Sequence, residues 1–327
     1  GSGTVKAFKH SYINVALKSG GKVIDLILVN SQSTDFLHTC VSSGYGNLNG
    51  LKVDVHVFDT GSHAHVDLTE AIFPKISLSR HRRNLGFSAG VNRVIKKTSS
   101  PYIVILNPDT IIFEDFFDSV IGFMEENPDV GILGPKVINP DHSIQGSARA
   151  FPTFHSAFFG RKSFLTRMFP NSRFTSANIL SNASDGKNPM EVDWVSGACM
   201  VVKREALDDV GLLDERFFLY WEDVDWCKRM WNKGWKVTYY PRATIQHTVG
   251  GSSENNLIRS IFEFHKSAYA YFVRYYKSPK LFIKPLIITG LSLRFCGVLL
   301  LQSLRRVARI SKPKLEPVKN IQTDLAN

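Results

Sequence analysis

Four places in the chain carry residues able to do chemistry. Asp109 stands directly after an apolar run, in Leu106-Asn107-Pro108-Asp109-Thr110. A carboxylate at a strand end can ligate a divalent cation that bridges a diphosphate. A turn or N-cap aspartate is the plain alternative. Glu222 and Asp223 follow the aromatic run Phe217-Phe218-Leu219-Tyr220-Trp221. Two adjacent acids at a helix start often only offset the helix dipole, but the preceding Trp and Tyr faces stack well on sugar rings. Asp223 is the one we assign as a general base, a role that needs hydrogen-bond reach to a hydroxyl. Asp225, two positions on, lies on another helix face. His247, in Ile245-Gln246-His247-Thr248, is either structural or a metal ligand completing a carboxylate elsewhere. Finally, Asn84–Asn92 (NLGFSAGVN) reads as a turn entering a helix. Its glycines Gly86 and Gly90 let backbone approach a ligand, and the helix N-terminus favours negative charge; a glycine turn with no ligand looks the same.

The elements that must position these residues alternate between strands and helices. Val23–Val29 (VIDLILV) is apolar at every position but Asp25, like a strand buried on both faces of a parallel sheet. Phe36–Ser43 opens a helix, and Val53–Phe58 is a second strand ending at Asp59-Thr60-Gly61-Ser62. Ile76–Leu78 is a weak third strand, Phe87–Lys97 a helix, and Tyr102–Leu106 a fourth strand. Asp115–Glu126 is an amphipathic helix stopped by Asn127-Pro128. This order predicts an α/β fold with an open, mostly parallel central sheet and flanking helices. Ligands of such sheets sit beyond the carboxyl ends of the strands. Asn30-Ser31, Asp59-Thr60 and Asn107–Asp109 all fall at such ends. Ala150 to Pro189 is irregular and reads as a long excursion over the sheet. Glu191–Lys203 holds another strand, Arg204–Val210 a short helix, Tyr220–Trp231 a helix and Lys236–Tyr240 a strand, with Pro241–His247 leading out.

A chain of 327 residues with 43% apolar and 21% charged residues has room for one large α/β domain plus an appendage, or for two modest domains. Gly1-Ser2-Gly3 reads as an expression remnant ahead of a lead over residues 1–22, and Lys6–Lys22 has no long apolar run of a secretory signal. Cys40, Cys199, Cys227 and Cys296 have no zinc or CxxC spacing, as expected of reduced thiols in a cytoplasmic protein. Charge is uneven. Residues 1–258 carry 27 Lys/Arg against 26 Asp/Glu, a net of +1, whereas 259–327 carry 13 against 3, a net of +10. A nucleic-acid binder would spread its basic surface differently. The expected domains are therefore 23–258 and a basic, apolar helical region over 259–327. There Ile258, Phe262, His265, Tyr269, Phe272 and Tyr276 recur at helical spacing, and Leu286–Leu304 is apolar with Arg294 as its only charge. A central Arg costs ~2.5 kcal/mol or more in insertion scales. An in-plane amphipathic helix on an anionic membrane therefore fits best, with a span, a re-entrant hairpin, a buried helix pair or a homo-oligomer contact as alternatives.

Seven pieces in order resemble bacterial family-two glycosyltransferases, particularly the rhamnosyltransferase branch of O-antigen and cell-wall synthesis. They are Val29-Asn30-Ser31, Phe58–Ser62, Asn84–Asn92, Leu106–Thr110, Asp193–Ala198 (DWVSGA), Gly211–Asp225 (GLLDERFFLYWEDVD) and His247. The resemblance covers about residues 23–258 and implies a GT-A, Rossmann-like fold. It implies that Asp59 reads a pyrimidine base edge, with Asn30, Asn84, Gly86 and Asn92 in the nucleotide pocket. Asp109 matches the last acid of a DxD-like motif, and His247 a further metal or diphosphate contact, for Mg²⁺ or Mn²⁺. Trp194, Gly197, Trp221 and Glu222 would line the donor-sugar and acceptor side, with Asp223 as base and Arg229 near the diphosphate. The chain departs from the pattern at Asn107, the first DxD position, at Thr60, where Asn is usual, and at Ser31, where Tyr is frequent.

The resemblance thus implies an inverting transfer from a dTDP- or UDP-linked sugar, dTDP-L-rhamnose first, to a lipid-linked or oligosaccharide acceptor at the inner face of the cytoplasmic membrane. UDP-linked galactofuranose, glucose or N-acetylhexosamine donors stay open, as does a catalytically silent nucleotide-sugar binding protein. A sugar nucleotidyltransferase would carry a Gly/Lys-rich loop near the first strand, which Val29–Ser33 lacks.

Overall fold

The computed structural model describes residues 24–31, 33–46, 51–62, 76–153, 179–248, 257–276, 285, 288–298 and 300. The lead over 1–22, most of the excursion (154–178), and the basic clusters at 277–284 and beyond 300 lie outside the described residues. The chain opens with β1 (Ile24–Asn30), buried at every position, as the apolar run requires. There follow α1 (Thr34–Gly46), β2 (Val53–Thr60), β3 (Ile76–His81), α2 (Phe87–Ile95) and β4 (Tyr102–Leu106). After β4 the chain turns into β5 (Thr110–Ile112), α3 (Phe116–Glu126) and β6 (Val130–Ile138). Next come β7 (Ala148–Arg149), a 3₁₀ turn at Leu180–Ala183, β8 (Met190–Glu191), β9 (Trp194–Val195) and β10 (Cys199–Lys203). The chain closes with α4 (Arg204–Val210), α5 (Glu222–Asn232), β11 (Lys236–His247), α6 (Leu257–Tyr275) and a helical stretch at 288–298.

Two elements escape the sequence pattern for physical reasons. β6 reads Val130-Gly131-Ile132-Leu133-Gly134-Pro135, where two glycines and a proline look like turn punctuation. Its glycines are instead demanded by packing: a Cβ on Gly134 would stand 2.5 Å from Val195 Cβ. β11 runs through Pro241 to His247 rather than stopping at Tyr240, because its pairing with β6 slips between Tyr240 and Thr244. That irregularity takes up a proline that a regular central strand would reject.

The main sheet has the order β3-β2-β1-β4-β10-β6-β11-β5, with β8 pairing β11. β3, β2, β1 and β4 run parallel, β10 opposes both β4 and β6, and β11 runs with β6. The sheet is thus mostly parallel, with β10, β5 and β8 reversed. One face packs on α1 and α3 through Leu37, Val41, Phe116 and Val120. The other packs on α2, α4 and α5 through Val91, Ala206, Trp226 and Met230.

A third cluster joins Phe217, Trp221 and Val224 to Ala268, Tyr271 and Phe272 of α6. The stripe read along α6 therefore divides. Phe272 and His265 are buried, while Ile258 is 67% and Phe262 53% exposed. Among the described residues no helix is long and apolar enough to cross a membrane.

Asp225 ties α6 to the domain electrostatically. Fully buried, it accepts from Arg229 Nε at 2.9 Å and Tyr275 Oη at 2.8 Å, and Arg274 stands 3.0 Å away. Breaking a buried ion network by removing one member leaves the others uncompensated, at a cost of about 3–5 kcal/mol. Asp225→Leu is expected to lower unfolding stability by that order, read from denaturant midpoints; a loss below about 1 kcal/mol would show the network to be incidental.

Candidate active site

Strand register places the chemistry-bearing residues on one sheet edge. Asn30 and Asp59 pair at the carboxyl ends of β1 and β2. Leu28 lies opposite Leu106, so Asn107–Asp109 leave β4 beside Asn30. Cys199 starts the reversed β10 opposite Leu106, which brings Ser196–Ala198 to the same edge. His247 ends β11 opposite Thr110. Two hydrogen bonds from backbone N–H groups then link the β4 end through the 196–198 loop to α5. Asn107 N–H donates to Ala198 O at 3.0 Å, and Gly197 N–H donates to Asp223 Oδ2 at 2.9 Å.

Asp109 and His247 face each other. Nε2 of His247 stands 3.3 Å from Oδ1 of Asp109, an oxygen that is buried and has no hydrogen bond among the described residues. The tautomer follows from the far side of the ring. Gln145 Nε2 donates to Asn139 Oδ1 at 2.8 Å and His247 O at 2.7 Å. Its Oε1 must therefore be the atom 3.1 Å from His247 Nδ1, and only a protonated Nδ1 can donate to it. Nε2 of a neutral His247 then points a lone pair at a carboxylate oxygen. That arrangement calls for a cation between them, either a proton or a metal ion, and a carboxylate oxygen with an imidazole nitrogen is a donor set a divalent ion accepts. Gln145 gave no signal in the sequence pattern, since it sits in an irregular segment.

A second Asp/His group, Asp25, Asp54 and His56, has ligand atoms within 4.8 Å of one another. It lies at the opposite end of β1 and β2. Asp25 there already accepts from Ser100 N–H at 2.8 Å, contacts His56 at 3.0 Å and stands 3.7 Å from Arg204. It is a satisfied strand-edge network remote from the cleft residues.

Asp223 opens α5 half-buried. Val224 N–H donates to its Oδ1 at 2.8 Å while Gly197 N–H holds Oδ2. Burial raises its pKa above the usual carboxylate value, opposed by those N–H groups and by the charge of Arg149. Glu222 is more buried and is pushed well above its ordinary value, first by desolvation and then by the neighbouring Asp223 charge. Arg149, another residue the sequence pattern does not single out, lies opposite Trp194 across the β7–β9 pair, with its guanidinium 5.6 Å from the indole centre. Trp194 Nε1 donates to Ala150 O at 2.9 Å.

Several residues expected to meet ligand meet protein. Asn92 donates to Leu213 O at 2.9 Å and Glu215 Oε1 at 3.0 Å, and accepts from Leu213 N–H at 3.1 Å. Asn84 donates to Ser31 Oγ and caps Gly86 N–H, both at 2.9 Å. Asn30 donates to Asp59 Oδ1 at 2.8 Å, leaving Asp59 Oδ2 facing Arg80 at 4.0 Å. Trp221 is only 8% exposed and packs on Phe264, Tyr271 and Phe272, so its ring serves α6 rather than a sugar. Arg229 spends its guanidinium on Asp225 and on the carbonyls of Val210 and Leu212.

Comparison with known proteins shows the family and the fold. The model of the family described as "Glycosyltransferase like family 2" matches residues 24–261. The chain belongs to that family. It is 30% identical over 210 residues to an N-acetylglucosaminyl-diphospho-decaprenol L-rhamnosyltransferase of Mycobacterium tuberculosis, covering 61% of this chain and 67% of the relative. It is 24% identical over 205 residues to the rhamnosyltransferase WbbL of Escherichia coli, covering 59% and 69%. Among solved structures it resembles a mannosyltransferase of Pyrobaculum calidifontis in complex with GDP-Man and Mn²⁺, with TM-score 0.52, 14% identity, and coverage of 89% of this chain and 79% of that one. A structure of GalNAc-T7 with UDP, GalNAc and Mn²⁺ gives TM-score 0.52 at 13% identity, covering 70% and 44%. The fold of this glycosyltransferase-family protein is therefore GT-A.

The glycine turn of the family member shows why its sequence is glycine-rich. Gly86 has φ +85°, and a Cβ there would lie 2.5 Å from Phe218 O. Phe87 N–H donates to that same carbonyl at 2.8 Å, and Ser88 Oγ to Phe217 O at 2.7 Å. The close approach is to the Phe217–Trp221 loop, not to a ligand. Gly86→Ala, strained in φ and in clash, is expected to destabilise by about 1–3 kcal/mol or more, measured by chemical denaturation. An unchanged midpoint would mean that the loop is free to move away.

Proposed function

We propose that the protein is an inverting glycosyltransferase that moves L-rhamnose from dTDP-L-rhamnose to a hydroxyl of a lipid-linked acceptor in surface-glycan synthesis. The observation that carries this is Asp223, held by two backbone N–H groups on the sheet edge that also bears the Asp109–His247 pair. Asp223 takes the acceptor proton as that oxygen attacks the anomeric carbon. The anomeric bond to the diphosphate breaks, and the nucleoside diphosphate leaves with the electron pair. Asp109 and His247 would hold a divalent cation, Mg²⁺ or Mn²⁺, which when bound offsets charge on the departing diphosphate. Asp59, on the same edge, is assigned to the base edge of the nucleotide. Rhamnose as the donor sugar rests on the names of the relatives. A UDP-sugar donor is the second reading; thermal shifts with dTDP- and UDP-sugars, with and without Mn²⁺, separate the two. The exposed Ile258, Phe262, Leu293 and Leu300, with the net +10 of the last 69 residues, suit a peripheral site on an anionic inner membrane face.

Asp223→Asn is expected to lower transfer by about 10²–10⁴-fold with nucleotide affinity nearly intact; parallel loss of both would remove Asp223 as the base. Because the base must be ionised, rate falls as pH drops through its raised pKa. Arg149→Met removes a charge that favours the carboxylate, so the acid limb of the kcat profile should move to higher pH. A limb that stays in place would sink that assignment.

Removing the acceptor that fixes the His247 tautomer should loosen the metal. For Gln145→Met we expect Mn²⁺ affinity to fall by roughly 10–100-fold, measured by titration calorimetry in the presence of nucleotide. Equal affinity in both proteins would leave Gln145 with no such role.

A further inference from the structure

Eight buried side-chain polar atoms have no hydrogen-bond partner among the described residues, and three of them belong to residues packed on one ring, Phe264. Trp221, whose Nε1 is one, packs 5.7 Å from Phe264 centre to centre. His265, whose Nε2 is the second, has its ring 5.5 Å from Phe264 and 5.5 Å from Phe295. Arg294, whose Nε is the third, places its guanidinium carbon 5.1 Å from the Phe264 centre. His265 is 9% exposed. Its Nδ1 stands 2.8 Å from Ile261 O, which can only accept, so Nδ1 carries a hydrogen and Nε2 is the open position. Burial disfavours the charge on Arg294, and native proteins rarely seal even one guanidinium N–H from water without an acceptor, as Nε is sealed here.

A phosphate oxygen satisfies both groups. It accepts from Arg294 Nε–H, and His265 Nε2 can offer a lone pair to a protonated phosphate or, once protonated, an N–H to an ionised one. The place also suits a lipid. Phe262 on α6 and Leu293 and Leu300 beyond it are exposed on the same helices. From Arg294, two ring contacts of 5.1 and 5.7 Å lead through Phe264 to Trp221, two residues before Asp223.

We propose that Arg294 and His265 seat the diphosphate of a polyprenyl-linked acceptor, with the lipid on the exposed apolar face of α6 and 288–298 and the acceptor sugar toward Asp223. This rests on the transferase reading of Asp223 and adds the subsite for the acceptor's anionic group. It also gives the charge inside an otherwise apolar stretch a task at the protein–lipid boundary.

The test uses the full chain and two vesicle types of equal surface charge: phosphatidylcholine doped with polyprenyl diphosphate, and phosphatidylcholine doped with phosphatidylglycerol. Arg294→Gln should weaken binding to the diphosphate vesicles by about tenfold or more while leaving phosphatidylglycerol binding within roughly twofold. Arg294→Lys should fall between, since it keeps the charge and loses the planar fork. Equal loss on both vesicles would reduce Arg294 to ordinary surface attraction and overturn the proposal, as would no loss on either. Thermal unfolding controls for folding. Should Arg294→Gln not fold, His265→Gln carries the test, with selective loss on diphosphate vesicles supporting the site and unchanged binding overturning it. Vesicle binding reads no sugar transfer, so absent transfer with selective binding intact would count against the transferase reading alone.

Discussion

The site depends on two hydrogen bonds donated by backbone N–H groups, Asn107 N–H to Ala198 O and Gly197 N–H to the side-chain Oδ2 of Asp223. Every other candidate residue on the edge reaches it by strand register, which the apolar runs enforce. Asp223 does not. It belongs to α5, a helix packed on one face of the sheet, and it is turned to the edge by a loop in which Tyr220 and Trp221 adopt φ of +67° and +70°. Left-handed backbone at two consecutive aromatic residues is costly and persists only where surroundings overdetermine it. Here they do: Phe218 O and Phe217 O are bonded by the start of α2, Ser267 Oγ donates to Leu219 O, and Trp221 is locked among α6 aromatics. The glycine turn and α6 thus act together as the mould for one carboxylate.

That mould explains the electrostatics. Two adjacent acids are desolvated at the start of α5 with little cationic company, so both are driven toward their protonated forms. Asp223 keeps two N–H donors and a share of Arg149, while Glu222 keeps an oxygen with no hydrogen-bond partner among the described residues. Environments that separate two neighbouring carboxyls in this way assign them different tasks. The less shifted one is suited to take a proton, and the more shifted one to hold it.

Most of the sheet was legible in the sequence, because apolar runs such as Leu26–Val29 and Tyr102–Leu106 leave few alternatives. β6 was not, since its glycines answer to the packing of Val195 and Trp235, residues far along the chain. The edge positions of Asp59, Asp109 and His247 followed from strand ends. The partners that tune them did not, because Gln145 and Arg149 sit in a segment with no period at all. Trp221 misled for a related reason: an aromatic beside an acid reads alike whether it faces a sugar or a helix. Only the contacts with Phe264, Tyr271 and Phe272 decide it.

The departure at Asn107 bears on how a cation would be held. Asn107 contributes backbone, not side chain, to the site: its N–H goes to Ala198, and its carbonyl accepts from Thr110 Oγ1 at 2.7 Å and Cys40 Sγ at 3.5 Å. It is a strut that fixes the turn on which Asp109 stands. A cation there would meet one carboxylate and one neutral imidazole, a donor set of charge −1. Hard divalent ions favour several oxygen ligands and more negative charge than that. The missing oxygens and charge are the ones a nucleoside diphosphate brings. Metal and nucleotide would then each complete the other's site, whereas a protein that held the ion tightly on its own would need a further carboxylate directly beside Asp109 and His247.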